Sequence, residues 1–196
     1  MTETLIDVLR AVHIITAVLM AWPFYALVAV NQRARLGPPL GDRADTYLEN
    51  TIRNRTIPCA VFQGTALLSG LTLVWLRGLG LEGLAANPVL VLKVLLLFAT
   101  GALLSYVTFG IQPRIDGLFG RLAAEPGDAT IGKEIGRLRL RRKRIAATCL
   151  FFVLMIVVLG IQVWATFPLW LNGLLIGALA AFSWRSYASR MPFGWF

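Results

Sequence analysis

The feature that most constrains this chain is a series of long apolar blocks. About twenty consecutive apolar residues cross the hydrocarbon core of a bilayer as a helix, because lipid offers no water to satisfy backbone polar groups. The sequence therefore predicts an all-α membrane protein. We expect a five-transmembrane-helix bundle with spans at about 5–30, 57–76, 88–110, 145–166 and 169–187.

Composition supports a single integral membrane domain over residues 1–196. Charged residues make up 15% of the chain, against about 25% in a typical soluble domain, and the mean hydropathy is +0.70. The formal net charge of +9 does not indicate a nucleic-acid partner, since no recognition fold is present to place that charge in a groove. Cys59 and Cys149 lack the spacing of a metal or redox motif.

Basic residues collect in alternate connections between the spans, and cytoplasmic loops are the ones that carry excess Lys and Arg. The opposite connections hold only Arg77. We therefore predict an N-terminus outside, a cytoplasmic C-terminus, and cytoplasmic loops at 31–56 and 111–144. The basic residues of these loops and of the C-terminal tail are Arg33, Arg35, Arg43, Arg53, Arg55, Arg114, Arg121, Lys133, Arg137, Arg139, Arg141, Arg142, Lys143, Arg144, Arg185 and Arg190.

Tryptophans agree with these boundaries, because Trp is enriched where a helix crosses the membrane–water interface. Trp75, Trp164 and Trp170 fall at the predicted outer boundary, and Trp184 and Trp195 fall near the inner one.

The longest loop contains two stretches of helical hydrophobic spacing, one over 115–122 and one over 131–138. We interpret them as short amphipathic segments on the inner membrane surface, separated by "EPGD". The run "RLRLRRKR" that follows has two interpretations. In the first, the run binds anionic lipid head groups. In the second, its positive charge only fixes the membrane topology.

Polar residues inside the spans define a candidate site in the outer leaflet. At 1.5 Å per residue, His13 lies roughly 12 Å below the outer boundary and Lys93 roughly 8 Å below it. Arg10 and Thr16 lie one helical turn on either side of His13. The predicted site consists of Arg10, His13, Thr16, Lys93, Gln162 and Asn172.

These residue types suit several kinds of chemistry. A neutral imidazole binds a metal or the iron of haem, and a desolvated lysine acts as a base or a ligand. Lys93 and Arg10 could equally neutralise the carboxylates of a porphyrin or a quinone-like molecule. A structural interpretation stays open for both central residues: Lys93 snorkels to the interface, and His13 hydrogen-bonds a neighbouring helix.

Two further groups of small or polar residues predict helix contacts. Gly173, Gly177 and Ala181 form a small-residue row in the fifth span. Such a row packs within the bundle or against another subunit, in a homo-oligomer or a larger membrane complex. Gln63, Thr65 and Ser69 in the second span predict interhelical hydrogen bonds.

Three segments within about 8–110 suggest a family. "LRAVHIITAVLMAWPFYALVAV", "RNRTIPCAVFQGTALLSGLTLVWL" and "NPVLVLKVLLLFATGALLSY" resemble the first three spans of HemJ-type protoporphyrinogen oxidases and the related CopD-like bacterial membrane proteins. In the HemJ branch, a histidine early in span one and a lysine early in span three are tied to activity.

The resemblance implies a multi-pass protein of the bacterial plasma (inner) membrane that is associated with haem b and acts on a porphyrin. His13 and Lys93 would then be catalytic. His13 would be the metal ligand and would bind the cofactor together with Lys93. From their predicted positions in the outer-leaflet site, we expect Arg10 and Gln162 to help to bind the cofactor. Two alternatives stay open: a non-catalytic accessory subunit of a larger membrane complex, and a small transporter or metal-handling protein.

Overall fold

The computed structural model describes residues 2–30, 42–125, 128–163 and 165–188. Arg33, Arg35 and Arg190 of the predicted basic loops, and Trp164 and Trp195 of the predicted interfaces, lie outside these ranges. Within the ranges all regular structure is helical, which confirms the predicted class. The helices are α1 (Thr2–Val30), α2 (Arg43–Leu76), α3 (Gly80–Ala86), α4 (Pro88–Tyr106), a π-helical segment (Val107–Ile111), α5 (Gln112–Ala124), α6 (Ala129–Gln162) and α7 (Leu169–Ala188).

Side-chain caps fix the starts of three of these helices. The Asp42 carboxylate accepts a hydrogen bond from the Asp45 amide (2.6 Å) at the start of α2. Asn87 accepts from the Val89 amide (3.0 Å) before α4. Asp128 caps α6, and the hydrogen bonds it accepts from Thr130 lower the pKa of its carboxyl. Because a cap satisfies amides that the first helical turn leaves unpaired, these residues set where each helix begins.

Four segments of the described chain are long and apolar enough to cross a membrane. They are Glu3–Val28, Arg43–Leu76, Pro88–Ala124 and Ala129–Gln162; they contain the second and third predicted spans and overlap most of the first and fourth. The predicted fifth span corresponds to α7, which has 20 residues and is not among the four.

The helices α2 and α6 are longer than the spans predicted within them. Each has 34 residues, or roughly 51 Å at 1.5 Å per residue, against a hydrocarbon core of about 30 Å. The extra turns occupy 43–56 and 129–144, which belong to the predicted loops 31–56 and 111–144 and are helical instead. The predicted amphipathic segment over 131–138 is therefore the first part of α6 rather than a separate surface helix, whereas the segment over 115–122 lies in α5.

Helix α6 is the central element of the bundle, packing against α1, α4, α5 and α7. Its Leu150 and Val153 pack with Met20 and Phe24 of α1 in a fully buried core. Large apolar side chains are instead exposed on the outer faces of the helices, among them Leu68, Phe98 and Leu174. This pattern of exposure is consistent with a multi-pass membrane protein.

Candidate functional site

A cavity of about 420 Å³ opens between α1, α2, α4 and α6, at the end of the bundle where α1 begins and α6 ends. Its described lining includes four basic side chains, Arg10, His13, Arg77 and Lys93, and otherwise only apolar residues and glycine. The structure therefore brings the predicted Arg10, His13 and Lys93 around one space. No carboxylate belongs to this lining, so the cavity is suited to an anionic or electron-rich molecule.

The imidazole of His13 is held against α2. Its Nδ1 lies 3.0 Å from Ser69 Oγ. Gly70 allows this close approach, because a β-carbon there would lie 3.1 Å from His13 Cε1. The sequence predicted an interhelical hydrogen bond for Ser69 but did not identify His13 as its partner.

Lys93 projects from the second turn of α4 toward α6. A β-carbon at Gly160 would lie 3.5 Å from its Nζ, in ordinary van der Waals contact. Since burial of an ammonium group is costly without a counter-charge, an anion in the cavity would stabilise Lys93 in this position.

The two arginines lie where the cavity meets the helix ends. Arg10 Nη1 forms an ion pair with Asp7 Oδ1 at 3.1 Å on the same helix face. Arg77 follows directly after α2 and is its C-cap residue. We did not include Arg77 in the predicted site, although its position as the only basic residue of the outer connections was a signal that could have indicated it.

The other predicted site residues do not reach the cavity. Gln162 Nε2 donates to Asn172 Oδ1 (2.6 Å), and Asn172 Nδ2 donates to the Phe167 carbonyl (3.3 Å). These bonds fix the turn between α6 and α7. Thr16 is buried and, like Gln162, is not part of the cavity lining.

Metal binding at His13 would involve few protein ligands. Across residues 2–30, 42–125, 128–163 and 165–188, no three His, Cys, Asp or Glu side chains are grouped so that they could hold an ion. Among the residues that line the cavity, His13 alone belongs to that set. A metal at this position would take its remaining ligands from another source, as the iron of a porphyrin does.

A second polar group, which the sequence did not predict, lies at the opposite end of the bundle. We call it the ion-pair cluster: Asp45 and Glu49 of α2 with Arg139 and Arg142 of α6. Arg139 binds Asp45 through two hydrogen bonds of 2.8 and 3.0 Å and reaches Glu49 at 2.9 Å. Arg142 binds both carboxylate oxygens of Glu49.

Residues of α5 complete the cluster. Gln112 accepts a hydrogen bond from Arg142 (2.6 Å) and donates to Glu49 and Asp116 (both 3.1 Å). Asp116 also forms an ion pair with Arg53 at 2.6 Å. The first residue of α5 is therefore tied to both α2 and α6, directly after the π-helical segment.

The ion-pair cluster accounts for part of "RLRLRRKR", whereas Arg137, Arg141 and Arg144 of the same run are exposed and both interpretations of the run stay predictions. Arg139, Arg142 and Lys143 are 2%, 1% and 0% exposed, so they face the protein interior rather than lipid head groups. Their spacing continues the buried face of Ile135 and Leu138, and this continuity was the signal available in the sequence.

The His13 cavity and the ion-pair cluster are thus two separate polar sites within one bundle. Comparisons of this chain with protein-family models, with curated proteins and with solved structures gave no match.

Proposed function

We propose that this chain is a HemJ/CopD-like protein of the bacterial inner membrane that binds a porphyrin-class molecule in the His13 cavity and takes part in its redox chemistry. The observation that carries the proposal is the combination of apolar walls with three cations, Arg77, Lys93 and Arg10, the last of which also pairs with Asp7, and no acidic residue in the described lining. A porphyrin combines a flat apolar ring with carboxylates, so it matches both parts of this surface.

The size and the histidine of the cavity fit this class of ligand. A volume of about 420 Å³ lies within the range of roughly 300–1,000 Å³ that is usual for ligand pockets. Metal-bound histidines generally have their second ring nitrogen oriented by a hydrogen bond, as Ser69 orients His13. If haem b binds here, His13 would hold its iron, Lys93 and Arg10 would neutralise its carboxylates, and the haem would supply electron transfer.

We propose five membrane spans, with α7 as the fifth, an N-terminus outside and a cytoplasmic C-terminus. Exposed tryptophans support both boundaries: Trp75 and Trp170 (78% and 71% exposed) at the His13 end, and Trp184 (68%) at the other. The exposed arginines and lysines of α5 and of the first turns of α6 also lie at the second end.

Single-cysteine reporters test this topology. The native Cys59 and Cys149 are buried and would be replaced by alanine. An impermeant thiol reagent should then label Glu3→Cys from outside intact cells, and should label Glu125→Cys and Ala188→Cys only after the cells are opened. Labelling of Ala188→Cys in intact cells would exclude α7 as a fifth span.

Ligand binding is tested with the purified protein in detergent. Protoporphyrin and haemin would be titrated into the wild type and into His13→Ala, Lys93→Met and Lys133→Met, the last being an exposed lysine of α6. We expect Lys93→Met to weaken binding of both compounds and His13→Ala to abolish the iron-dependent shift of the Soret band. Equal binding by all four proteins would contradict the proposal.

A specific observation also favours a second candidate, an accessory subunit of a larger membrane assembly. A β-carbon added at Gly173 or Gly177 would meet no atom within 4 Å, and both glycines are exposed together with Ala181. The small-residue row is thus open to another chain rather than used within this one. Gly177→Leu should reduce chemical cross-linking of the protein in membranes if the row forms a contact, and Gly64→Leu, another open site, is the control.

A further inference from the structure

We propose that Ser69 is a positioning residue that holds His13 in the tautomer protonated at Nδ1, so that the unprotonated nitrogen is Nε2. The tautomer itself is a property of the ligand-free protein. What Nε2 then contacts rests on the proposed function, in which it is a ligand to iron or a proton acceptor beside the bound porphyrin.

The argument depends on the single proton of the Ser69 hydroxyl. Ser69 Oγ lies 2.6 Å from the Thr65 carbonyl and 3.3 Å from the Ala66 carbonyl, and a carbonyl only accepts. The shorter bond takes the hydroxyl proton toward Thr65. At 3.0 Å from His13 Nδ1, the same oxygen then has only lone pairs to offer, so Nδ1 must carry the proton between them.

The Ala66 carbonyl reinforces this arrangement. It lies 3.3 Å from Ser69 Oγ, so both backbone carbonyls beside this hydroxyl are acceptors that draw its proton away from the ring. Arg10 and Lys93 line the same cavity. Because both are positively charged, we treat the imidazole between them and α2 as neutral. A neutral ring that donates through Nδ1 has its lone pair on Nε2.

The neighbouring Gly70 contributes to the same geometry. A β-carbon at this position would lie 3.1 Å from His13 Cε1, so the ring would have to shift by a few tenths of an ångström, and 3.5 Å from Nδ1, an ordinary contact distance. Ser69 therefore supplies the hydrogen bond, and Gly70 supplies the space that lets the ring reach it. Replacement of either residue should release the ring from α2.

Because His13 is the only histidine in the chain, its tautomer can be measured directly. Protein made with nitrogen-isotope-labelled histidine would be studied by NMR in detergent without any added ligand. We expect the Nδ1–H form to predominate in the wild type. Ser69→Ala should shift the population toward Nε2–H, and Ser69→Thr, which keeps the hydroxyl, should restore it.

The control is Thr72→Ala on the same helix, since the Thr72 hydroxyl donates only to the Leu68 carbonyl (2.8 Å) among its described bonds and lies on the exposed face. It should leave the histidine signals unchanged. A wild-type ring that is mainly Nε2–H would overturn the inference, and so would Ser69→Ala spectra identical to those of the wild type.

A second measurement separates this inference from the proposed function. If haemin binds the wild type through His13, Ser69→Ala should weaken that binding by about 10-fold or more, the usual effect of losing a residue that orients a metal ligand. Failure of haemin to bind any variant would reject the proposed function and leave the tautomer result intact. Unchanged haemin affinity in Ser69→Ala would reject the positioning role even if the wild type binds.

Discussion

Lys93 of α4 and Gly160 of α6 lie against each other across the cavity, with Lys93 Nζ 3.5 Å from the place where a β-carbon of residue 160 would stand. The absence of a side chain at Gly160 leaves room for the ammonium group between the two helices. The ammonium group therefore has as its neighbour a residue of a different helix, 67 positions further along the chain (160 − 93).

Substitution of Gly160 should change the cavity in proportion to side-chain size. Alanine adds a methyl group at an ordinary contact distance and should be tolerated. Leucine would fill the space beside Lys93 and should weaken protoporphyrin binding at least tenfold, equivalent to about 1.4 kcal/mol. Fluorescence titration measures this, with Gly64→Leu, which meets no neighbouring atom, as the size-matched control.

Arg77 provides a test of the charge at the cavity. Its removal should weaken the binding of a porphyrin that carries carboxylates by about 1 kcal/mol, or about fivefold, because exposed and partly exposed charge pairs contribute about that much. A porphyrin ester without carboxylates should bind the wild type and Arg77→Ala equally. Arg137→Ala, at a site 78% exposed and paired with Glu134, should have no effect on either compound. A loss that is equal for acid and ester would show that Arg77 acts through packing instead.

The helical class and the approximate spans were predictable because both follow from runs of apolar residues, which depend on local sequence alone. The sequence also predicted that His13 and Lys93 lie near each other. Successive spans cross the membrane in opposite directions, so the distance of a residue from the start of its span gives its depth. Depth does not specify which face of a helix a residue occupies. Gln162 and Asn172 have the correct depth, yet they bond each other outside the cavity.

The ion-pair cluster was not predicted because charge in a loop normally indicates solvent. Arg139 and Asp45 are 94 residues apart, and nothing local to either one indicates the other. The signal in the sequence that could have indicated the cluster was the matched spacing of the acidic pair and the basic pair. Asp45 and Glu49 are four apart on α2, Arg139 and Arg142 are three apart on α6, and each pair therefore lies on one helix face.

Loss of Arg139 should destabilise the protein strongly. Its removal takes away the guanidinium that binds both carboxylate oxygens of Asp45 and one of the two arginines on Glu49, and breaking a buried pair in this way costs about 3–5 kcal/mol. For a chain of this size, that corresponds to a decrease in Tm of roughly 6–20 °C. Thermal unfolding in detergent, followed by circular dichroism, measures the decrease.

Arg137→Ala is the matched control for this measurement, because Arg137 lies two residues away on the exposed face and its ion pair with Glu134 is long, at 3.8 Å. Surface changes of this kind usually alter stability by no more than about 0.5 kcal/mol. Equal effects of Arg137→Ala and Arg139→Ala would mean that the cluster does not stabilise the fold.

The two cysteines should report on the integrity of the bundle core. Cys59 and Cys149 are 0% and 1% exposed and belong to one apolar cluster shared by α1, α2, α4 and α6. A maleimide should therefore label neither thiol in the folded protein and both after denaturation, because reaction requires the core to open. Glu125→Cys, at an exposed position, should react at once in the folded protein and shows that the reagent is active. Rapid labelling of one native thiol under folding conditions would mean that α2 and α6 separate readily at their centre, and the packing described for Cys59 and Cys149 would then be incorrect.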